Sequence, residues 1–395
     1  MKTIDKNIIW LGWVSFFTDM ASSMITTLLP IFVVYVLHEG VDKLGIVIAV
    51  ATFISYAFRI LFGYLSDRLG IIKPFLVAGY LISAVAKPLL AFSSTYASVA
   101  LLRGLERMGK AVRSAPKDVL ISAYSRKNAS GKTFGFHKMM DISGELVGAL
   151  LILMFFMLMQ KDEAFIRTLF AWTLIPGLIA AVIILFFVKD MPLKVKKKEV
   201  YDPSDRKLFT LLGIYFLFLL FLFSDQYLIL KAKDEGFTLA QIPLFVIVFA
   251  LTQSLTSYYS GVLIDRRGSG LMLLLSFLFG IASMVALALD FLWLSFIMLG
   301  LFTVISLNAM RAYISQEAQS KGAVFGIFYG GVAIFASLGA LLIGYIWEHF
   351  GFESAVRLSI GGLTLLTLLL FLHLQRQRKL VVPEHSASQQ GKEDF

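Results

Sequence analysis

Several features that catalysis or metal binding requires are missing from this sequence. Cysteine is absent, which excludes disulfide bonds, thiolate chemistry and cysteine-ligated metals. The five histidines are scattered without the spacing of a metal site, so we expect no metal or other cofactor. The chain also lacks a G-x-S-x-G elbow, a Walker loop and an H-E-x-x-H motif. These absences predict that the protein is not an enzyme and does not itself use ATP.

Charged residues are scarce. They make up 16% of the 395 residues, whereas hydrophobic residues make up 58%. Soluble domains average about 25% charged and about 45–50% apolar residues. Both differences predict that lipid surrounds most of the chain. The formal net charge of +10 then reflects Lys and Arg in cytoplasmic loops, and we expect no nucleic-acid partner.

Long apolar runs organise the chain. Twelve stretches of about 18–28 residues are each long enough to cross about 30 Å of hydrocarbon. They lie near residues 8–37, 44–65, 74–92, 96–119, 133–158, 164–188, 208–230, 240–263, 271–289, 292–313, 323–347 and 354–374. We therefore expect an all-α membrane protein with a six-helix bundle at 1–188, a basic cytoplasmic linker at 189–207, a second six-helix bundle at 208–374 and a disordered cytoplasmic tail at 375–395.

Lys and Arg are distributed unevenly between the two sides of the predicted membrane segments. If both termini are cytoplasmic, the inner loops carry about twenty of these residues and the outer loops about five. The apolar segment at residues 8–37 is too long for a cleavable signal peptide. The sequence thus predicts a multi-pass protein of the cell inner membrane, surrounded by lipid, with cytoplasmic termini. We expect it to act as a monomer.

The two predicted halves repeat one another. A G-x-x-x-D-R-x-G pattern ends span two and recurs at the end of span eight, with its defining residues at Gly63, Asp67, Arg68 and Gly70, and at Gly261, Asp265, Arg266 and Gly268. Residues 17–19 of span one resemble residues 223–225 of span seven, and residues 131–151 resemble 322–342 at a constant offset. These echoes predict duplicated bundles with a binding site at their interface.

The repeated G-x-x-x-D-R-x-G pattern has two interpretations. In the first it is a cytoplasmic gate, in which the glycine permits close helix approach and the aspartate faces the N-terminus of a neighbouring helix. In the second it is a tight turn between helices with a positively charged anchor. Two copies at equivalent places favour the gate. Arg59 lies two turns before Asp67 on the same face, which predicts structural pairing near that gate.

The duplicated motif, the basic linker and the six-plus-six plan resemble the major facilitator superfamily over residues 1 to about 374. Residues 16–24 and 107–121 resemble a prokaryotic branch with the patterns FFTD-x-SSEM and R-x-GKG-x-R-x-x-PRDALI, from which Ser23, Ala111 and Lys117 depart. The resemblance implies twelve helices, alternating access and a central cavity lined by spans one, four, seven and ten. It supplies fold and mechanism but no cargo.

The fourth predicted span carries an unusual stripe of charge. Seven side chains fall within an arc of about 140° on one helix: Arg103, Glu106, Arg107, Lys110, Arg113, Ser114 and Lys117. A charged stripe at membrane depth must face protein or a water-filled cavity. An internal ladder in which Glu106 pairs with Lys110 is the alternative. Because one glutamate cannot neutralise the neighbouring cations, we expect the stripe to line a cavity and meet other acids or an anionic ligand.

Acidic side chains in other spans are candidates to complement that stripe. They are Asp19 in span one, Asp225 in span seven, and Asp141 and Glu145 in span five, with His137 one turn earlier. Asp19 or Asp141 facing an arginine of span four would form a pair that a proton or an anion can open, which would couple transport to protons. A permanent structural salt bridge is the alternative. Lys87, near the outer end of span three, is expected to snorkel.

Spans seven and ten differ from span four, because they offer aromatic side chains with the amides Gln226 and Asn308. A cavity with one cationic and one aromatic wall suits an amphipathic or polycarboxylate anion. The sequence therefore predicts a proton-coupled transporter for a small organic anion, such as a carboxylate metabolite or a siderophore-like chelate.

Two other functions stay open at the level of sequence. Gly135, Gly144 and Gly148 in span five partly resemble the glycine pattern of the superfamily's proton antiporters, which would indicate efflux of drugs or of a secreted metabolite. Close helix packing explains the same glycines. A membrane sensor or scaffold built on a transporter fold is the third alternative.

Overall fold

A computed structural model describes residues 5–125, 130–159, 165–191 and 202–381. Within these ranges the chain is almost entirely helical and contains no β-strand. An apolar segment in lipid must satisfy its own backbone N–H and C=O groups, and a helix does so within the segment. Most of the predicted linker, residues 192–201, lies outside the described ranges, and so does the end of the predicted tail, residues 382–395.

Fourteen α-helices in the described ranges form twelve membrane crossings, which confirms the predicted fold class. They are α1 (Lys6–Ile31), α2 (Val41–Leu69), α3 (Lys73–Leu89), α4 (Tyr96–Tyr124), α5 (Ser130–Met159), α6 (Phe165–Trp172), α7 (Leu174–Phe186), α8 (Phe209–Phe221), α9 (Asp225–Asp234), α10 (Ile242–Arg267), α11 (Ser269–Ala288), α12 (Leu292–Glu317), α13 (Lys321–Phe350) and α14 (Phe352–Val381). The pairs α6–α7 and α8–α9 are each one interrupted crossing. α14 continues past the predicted span end at residue 374.

Eleven crossings are recognisable from length and hydropathy, and α4 is the twelfth. It begins with a capping box, in which the Thr95 and Ser98 side chains each accept a hydrogen bond from the other residue's backbone N–H. It packs against α2 and α3 and buries Arg103, Glu106 and Arg113. The charged stripe is therefore directed into the first bundle and away from lipid.

α1 and α5 approach each other at two glycines of the span-five pattern. A Cβ atom at Gly144 would lie 2.2 Å from the Phe16 carbonyl oxygen, and one at Gly148 would lie 2.4 Å from that of Met20. Because backbone atoms cannot move aside as a flexible side chain can, only glycine fits. These two glycines serve close packing. The surroundings of Gly135 lie outside what the structure describes.

The bundle has two ends. We call the end where α1 begins the linker face, and the end where α1 stops and α2 begins the far face. Near the far face, hydrogen bonds join the halves from the Val41 N–H to Glu348 Oε2 (2.7 Å), from the Tyr35 hydroxyl to Asp234, and from Gln226 Nε2 to the Thr26 carbonyl oxygen (3.2 Å). These contacts hold the halves together at that end.

α2 and α13 keep the two halves in contact as far as the centre of the bundle. The Ser337 hydroxyl donates to the Ala49 carbonyl oxygen at 3.0 Å, and the rings of Tyr56 and Tyr329 stack at a centroid distance of 6.2 Å. The α2–α13 seam and the far-face hydrogen bonds together close the far side of the molecule.

Each copy of the repeated motif ends its helix, α2 or α10, at a glycine with a positive φ angle. Gly70 and Gly268 have φ angles of 66° and 87°, and their N–H groups donate to the carbonyl oxygens of Ser66 and Ile264. Side chains larger than hydrogen are disfavoured in this left-handed region, so glycine ends each helix. The last glycine of each copy therefore serves the turn after its helix, as the tight-turn interpretation of the motif expects.

Candidate functional site

Two of the cavities among the crossings of the described chain contain predicted residues. The larger, which we call the aromatic cavity, encloses about 340 Å³ and is lined from α2, α8, α9, α10, α12 and α13. The smaller, which we call the charged cavity, encloses about 150 Å³ and is lined from α1, α3, α4 and α5. The sequence predicts one cavity with a cationic wall and an aromatic wall. In the structure these two kinds of lining belong to separate cavities.

The charged cavity belongs entirely to the first bundle. Four cations and three carboxylates line it: Lys110, Arg113 and Lys117 of α4, Lys138, Asp141 and Glu145 of α5, and Asp19 of α1. Hydroxyl groups are added by Ser15, Thr18, Ser114 and Tyr80. The structure thus brings together four predicted residues from three separate spans: Asp19, Lys110, Asp141 and Glu145. Charges of both signs at close range offset each other's desolvation cost.

A buried ion cluster occupies the middle of α4. Glu106 Oε2 lies 2.9 Å from Arg103 Nη1 and 3.2 Å from Arg107 Nε, and the glutamate side chain is fully buried. Ser22 donates to the other carboxylate oxygen at 3.5 Å. The structure does not contain the alternative Glu106–Lys110 pair, because Lys110 lines the charged cavity, as expected for the stripe, and interacts there with Asp19.

Arg103 and Arg107 of α4 pair with Glu106 and not with Asp19 or Asp141. Asp141 Oδ1 instead lies 3.4 Å from Nδ1 of His137, one turn earlier on α5. The reason is geometric: Arg103 and Arg107 reach an acid on their own helix, whereas the two aspartates face the cavity on another side of α4. Coupling through an Asp–Arg pair is thus not the arrangement that this conformation contains.

Lys87 does not snorkel. Its side chain is completely buried, and its Nζ atom donates to the Thr18 carbonyl oxygen at 3.0 Å. Glu106 adds a favourable electrostatic interaction with the ammonium group. The lysine therefore joins α3 to α1 beside the ion cluster. A single cation inside an otherwise apolar span was the sequence feature that could have predicted this buried position.

The aromatic cavity is formed mainly by the second bundle. Its ring-bearing residues are Tyr56, Tyr215, Phe223, Phe249, Phe302, Phe328 and Tyr329. Several rings stack on one another; Tyr215 and Phe328, for example, have centroids 5.8 Å apart. The aromatic side chains expected from spans seven and ten thus include Tyr215, Phe223 and Phe302 of this wall. Of the predicted charged and amide residues Asp225 lines the cavity, and Ser224 donates to its Oδ1 at 3.0 Å.

Three arginines from three helices lie near Tyr56, which lines the aromatic cavity, although none of them lines the cavity itself. We call them the arginine group: Arg59 of α2, Arg107 of α4 and Arg311 of α12. All three are close enough to Tyr56 to interact with it electrostatically. Arg59 lies 5.4 Å above the ring of Tyr329 and 3.4 Å from Asp118. The salt bridge with Asp118 agrees with the structural pairing expected for Arg59, and the guanidinium also lies over a ring that lines the aromatic cavity.

The arginine group carries unneutralised charge. Arg59 has Asp118 as a partner, and Arg107 shares Glu106 with Arg103. The Nε atom of Arg311 is buried without a hydrogen-bond partner among the described residues. The sequence did not single out Arg311 as a site residue, because no spacing within one helix shows that three helices bring their arginines together.

Two predicted binding residues hold helices together. Asn308 donates to the Ser260 hydroxyl at 2.9 Å and so joins α12 to α10, and Gln226 joins α9 to α1 across the halves. These contacts between helices do not by themselves make either residue part of a substrate site. The Oε1 atom of Gln226 is nevertheless buried without a partner in the described part of the chain.

The predicted gate residues are spread over the linker face. A Cβ atom at Gly63 would lie 3.1 Å from the Ala115 side chain, whereas one at Gly261 would have nothing within 4 Å. Arg68, Asp265 and Arg266 are exposed. Asp67 is in the last turn of α2, and its side chain lies outside what the structure describes. The second copy of the motif therefore has space around it in this conformation.

Comparison with known proteins identifies the family. A model of the Major Facilitator Superfamily matches residues 11–289 and 208–393. The chain belongs to this superfamily. An uncharacterized MFS-type transporter of Methanocaldococcus jannaschii is 30% identical over 369 residues, which cover 88% of this chain and 90% of that protein.

Solved structures of superfamily transporters share the fold. The nucleoside transporter NupG matches with a TM-score of 0.75 at 15% identity, covering 93% of this chain and 98% of that one. A POT family transporter in complex with a thioalcohol-conjugated peptide matches with a TM-score of 0.77 at 10% identity, covering 94% and 96%. Membership in the major facilitator superfamily makes the chain a multi-pass membrane transporter for a small molecule and not an enzyme.

Proposed function

We propose that this superfamily member carries a small organic anion with an apolar or aromatic body, that it works by alternating access, and that it is coupled to protons. The observation that carries this proposal is the arginine group beside the aromatic cavity. A guanidinium fork binds a carboxylate bidentately, and stacked rings bind an apolar body. Arg59 lies over Tyr329, a ring that lines the cavity, so a cation is adjacent to the apolar wall, as an amphipathic anion requires.

The size and lining of the aromatic cavity narrow the class of anion. About 340 Å³ is near the lower end of the range for small-molecule sites. This volume favours a carboxylate metabolite over a siderophore-like chelate. The mostly apolar lining favours one charged group at one end of the substrate over a polycarboxylate, whose further charges would lose water without a partner.

The direction of access follows from the closed far side. We place the linker face in the cytoplasm, because the Lys and Arg residues of the loops favour that orientation. The substrate then exchanges with the cytoplasm in this conformation. Closure of the linker face, with Asp67 and Asp265 each facing a helix of the opposite half, would complete the cycle.

Binding tests separate charge recognition from simple hydrophobicity. We expect benzoate to raise the Tm of the purified protein and the neutral isostere benzamide to do so much less, since a ligand stabilises the state that binds it. Arg311→Ala should abolish the benzoate effect, whereas Arg357→Ala, an exposed arginine paired with Glu353, should keep it. Equal stabilisation by benzoate and benzamide in the wild type would contradict the anion proposal.

Transport in proteoliposomes tests the coupling. Uptake of the anion that binds best should accelerate when a pH gradient is imposed and should lose this acceleration when a protonophore is added. Uptake that ignores the gradient would contradict proton coupling while leaving anion transport in place.

Proton-driven efflux of uncharged hydrophobic compounds is a second candidate, and the apolar lining of the aromatic cavity favours it. In that case the arginine group would be dispensable. A deletion strain would be hypersensitive to such compounds, and Arg311→Ala would restore resistance as well as the wild type does.

A further inference from the structure

Four side chains form a continuous polar chain across three helices of the first bundle. Lys117 Nζ donates to the Ser15 hydroxyl at 3.1 Å, and Ser15 Oγ lies 3.1 Å from His137 Nε2. His137 Nδ1 lies 3.4 Å from Asp141 Oδ1. We call this set the histidine relay; it joins α4 to α1 and α1 to α5. None of its members lines the aromatic cavity.

We propose that His137 is a proton-binding site, and that its protonation breaks the Lys117–Ser15 link and so releases α4 from α1 and α5. Histidine is the side chain that ordinarily changes charge between pH 5 and 8. This proposal rests on the proposed function for its role in transport, since a released α4 would move part of the arginine group.

In the neutral form hydrogen bonds run from Lys117 through Ser15 to His137, whereas Asp141 Oδ1 lies 3.4 Å from Nδ1 and has no hydrogen bond among the described residues. Ser15 accepts from Lys117 and gives its own hydrogen to Nε2 of His137, while Nδ1–H of the imidazole points to Asp141. When a proton adds to Nε2, both ring nitrogens become donors and Ser15 can no longer donate to the ring. The imidazolium then strengthens its pair with Asp141 and repels the ammonium group of Lys117.

Charged groups on α1, α4 and α5 surround the relay. Those that line the same cavity are Asp19 of α1, Lys110, Arg113 and Lys117 of α4, and Lys138, Asp141 and Glu145 of α5. Asp19 and Asp141 both attract Lys117 electrostatically. The lysine released from Ser15 therefore has carboxylates to move toward inside the cavity, which makes the alternative position accessible.

The charged cavity gives the relay a polar surrounding. Ser15, Lys117 and Asp141 all line it. Tyr80 lines it too, and its hydroxyl is buried without a hydrogen-bond partner among the described residues. The cavity thus offers a free polar group to an occupant, as a passage for protons requires.

α4 connects the relay to the substrate region. Lys117 lies less than three helical turns after Arg107, which belongs to the arginine group, and Glu106 is tied to α1 through Ser22. A helix that shifts at Lys117 therefore moves the residues beside the aromatic cavity. This physical link is what makes a proton at His137 able to change the affinity for an anion.

The absence of native cysteine allows a direct test that needs no substrate. Ser114→Cys places the one thiol of the chain in the charged cavity, one turn from Lys117. The maleimide labelling rate of this protein is measured at each pH and divided by the rate of a second protein, Ser122→Cys, whose thiol is exposed on the same helix. The ratio corrects for the greater fraction of reactive thiolate at higher pH. We expect the ratio to rise about tenfold between pH 8 and pH 5.5 and to become independent of pH with His137→Gln.

Two variants keep the proposal open to refutation. If His137→Gln does not fold, Lys117→Met in the Ser114→Cys protein should give a high labelling ratio at every pH, because the link to Ser15 is gone. A pH-dependent ratio that survives in either variant overturns the proposal. His349→Gln, which changes an exposed histidine at the far end of α13, should leave the pH dependence unchanged.

Transport then separates this inference from the proposed function. With His137→Gln we expect gradient-driven uptake to fall at least about tenfold while anion exchange at equal pH stays within about twofold of the wild type. Retention of gradient-driven uptake would overturn the role of His137. Failure of the wild type to bind any anion would refute the proposed function, and the labelling experiment would still decide whether the relay responds to protons.

Discussion

The carboxylate of Glu348, near the end of α13, accepts a hydrogen bond from the backbone N–H of Val41 at the start of α2, with a distance of 2.7 Å. The two residues belong to opposite halves. The N-terminus of a helix carries unsatisfied N–H groups and a partial positive charge, so a carboxylate there is doubly favoured. A Cβ atom at Gly40 would lie 2.9 Å from the Glu348 carboxyl carbon, so glycine makes the approach possible.

The first prediction is that Glu348→Gln loosens the far face. The amide loses the charge that interacts with the α2 N-terminus, at a cost of about 1–2 kcal/mol. A cysteine at Ser224, which lines the aromatic cavity, should then react several-fold faster with an impermeant maleimide applied from the far side. Glu353→Gln, which changes an exposed glutamate on α14, is the matched control and should have no effect.

The second prediction concerns the ion cluster of α4. Glu106→Gln leaves Arg103 and Arg107 without their shared carboxylate, and breaking such a buried pair typically costs about 3–5 kcal/mol. We expect a marked fall in Tm in detergent. Glu317→Gln removes a pair with Lys207 that is about half exposed and should cost less than about 1 kcal/mol. Equal stability of the two variants would contradict the role assigned to the cluster.

The third prediction separates two kinds of glycine. Gly144→Ala forces a methyl group against the Phe16 carbonyl oxygen and should destabilise the protein by about 1–3 kcal/mol. Gly330→Ala meets nothing within 4 Å and should be neutral or stabilising by up to about 1 kcal/mol. Thermal unfolding of both variants checks the pair. A harmless Gly144→Ala would show that α1 and α5 can move apart at little cost.

The fourth prediction addresses the gate. Asp67→Asn and Asp265→Asn should each slow transport about fivefold, equivalent to about 1 kcal/mol at a helix terminus, while leaving anion binding unchanged. The reason is that the aspartates act only when the linker face closes. Asp290→Asn, in the exposed turn after α11, serves as the control. Transport rates that stay at the control level in both gate variants would leave the tight turn as the motif's only role.

Features that depend on the spacing of residues along a single helix were predictable from the sequence. The stripe on α4, the repeated glycine at the ends of α2 and α10, and the position of Asp141 one turn after His137 all follow from helical spacing. The structure agrees with the sequence at these places, because the rise and rotation of a helix fix which side chains share a face.

Features that depend on how helices are rotated against one another were not predictable. Spacing made Lys110 as good a partner for Glu106 as Arg103 and Arg107, and packing against α1 and α5 decided between them. Lys87 was expected in the membrane interface and lies in the core. The arginine group contains residues from three helices that are far apart in sequence. A pattern within one helix cannot predict that residues of different helices lie close together.

The polarity of α4 has a consequence for biogenesis. Each arginine or lysine at the centre of a lone helix opposes insertion into the bilayer by about 2.5–3.5 kcal/mol, and α4 carries several within its span. A segment of this kind enters lipid poorly as an independent unit. It can wait at the insertion machinery until α1 to α3 supply carboxyl, hydroxyl and carbonyl partners. The order of synthesis, with these three helices made first, therefore matches the order in which the partners are needed.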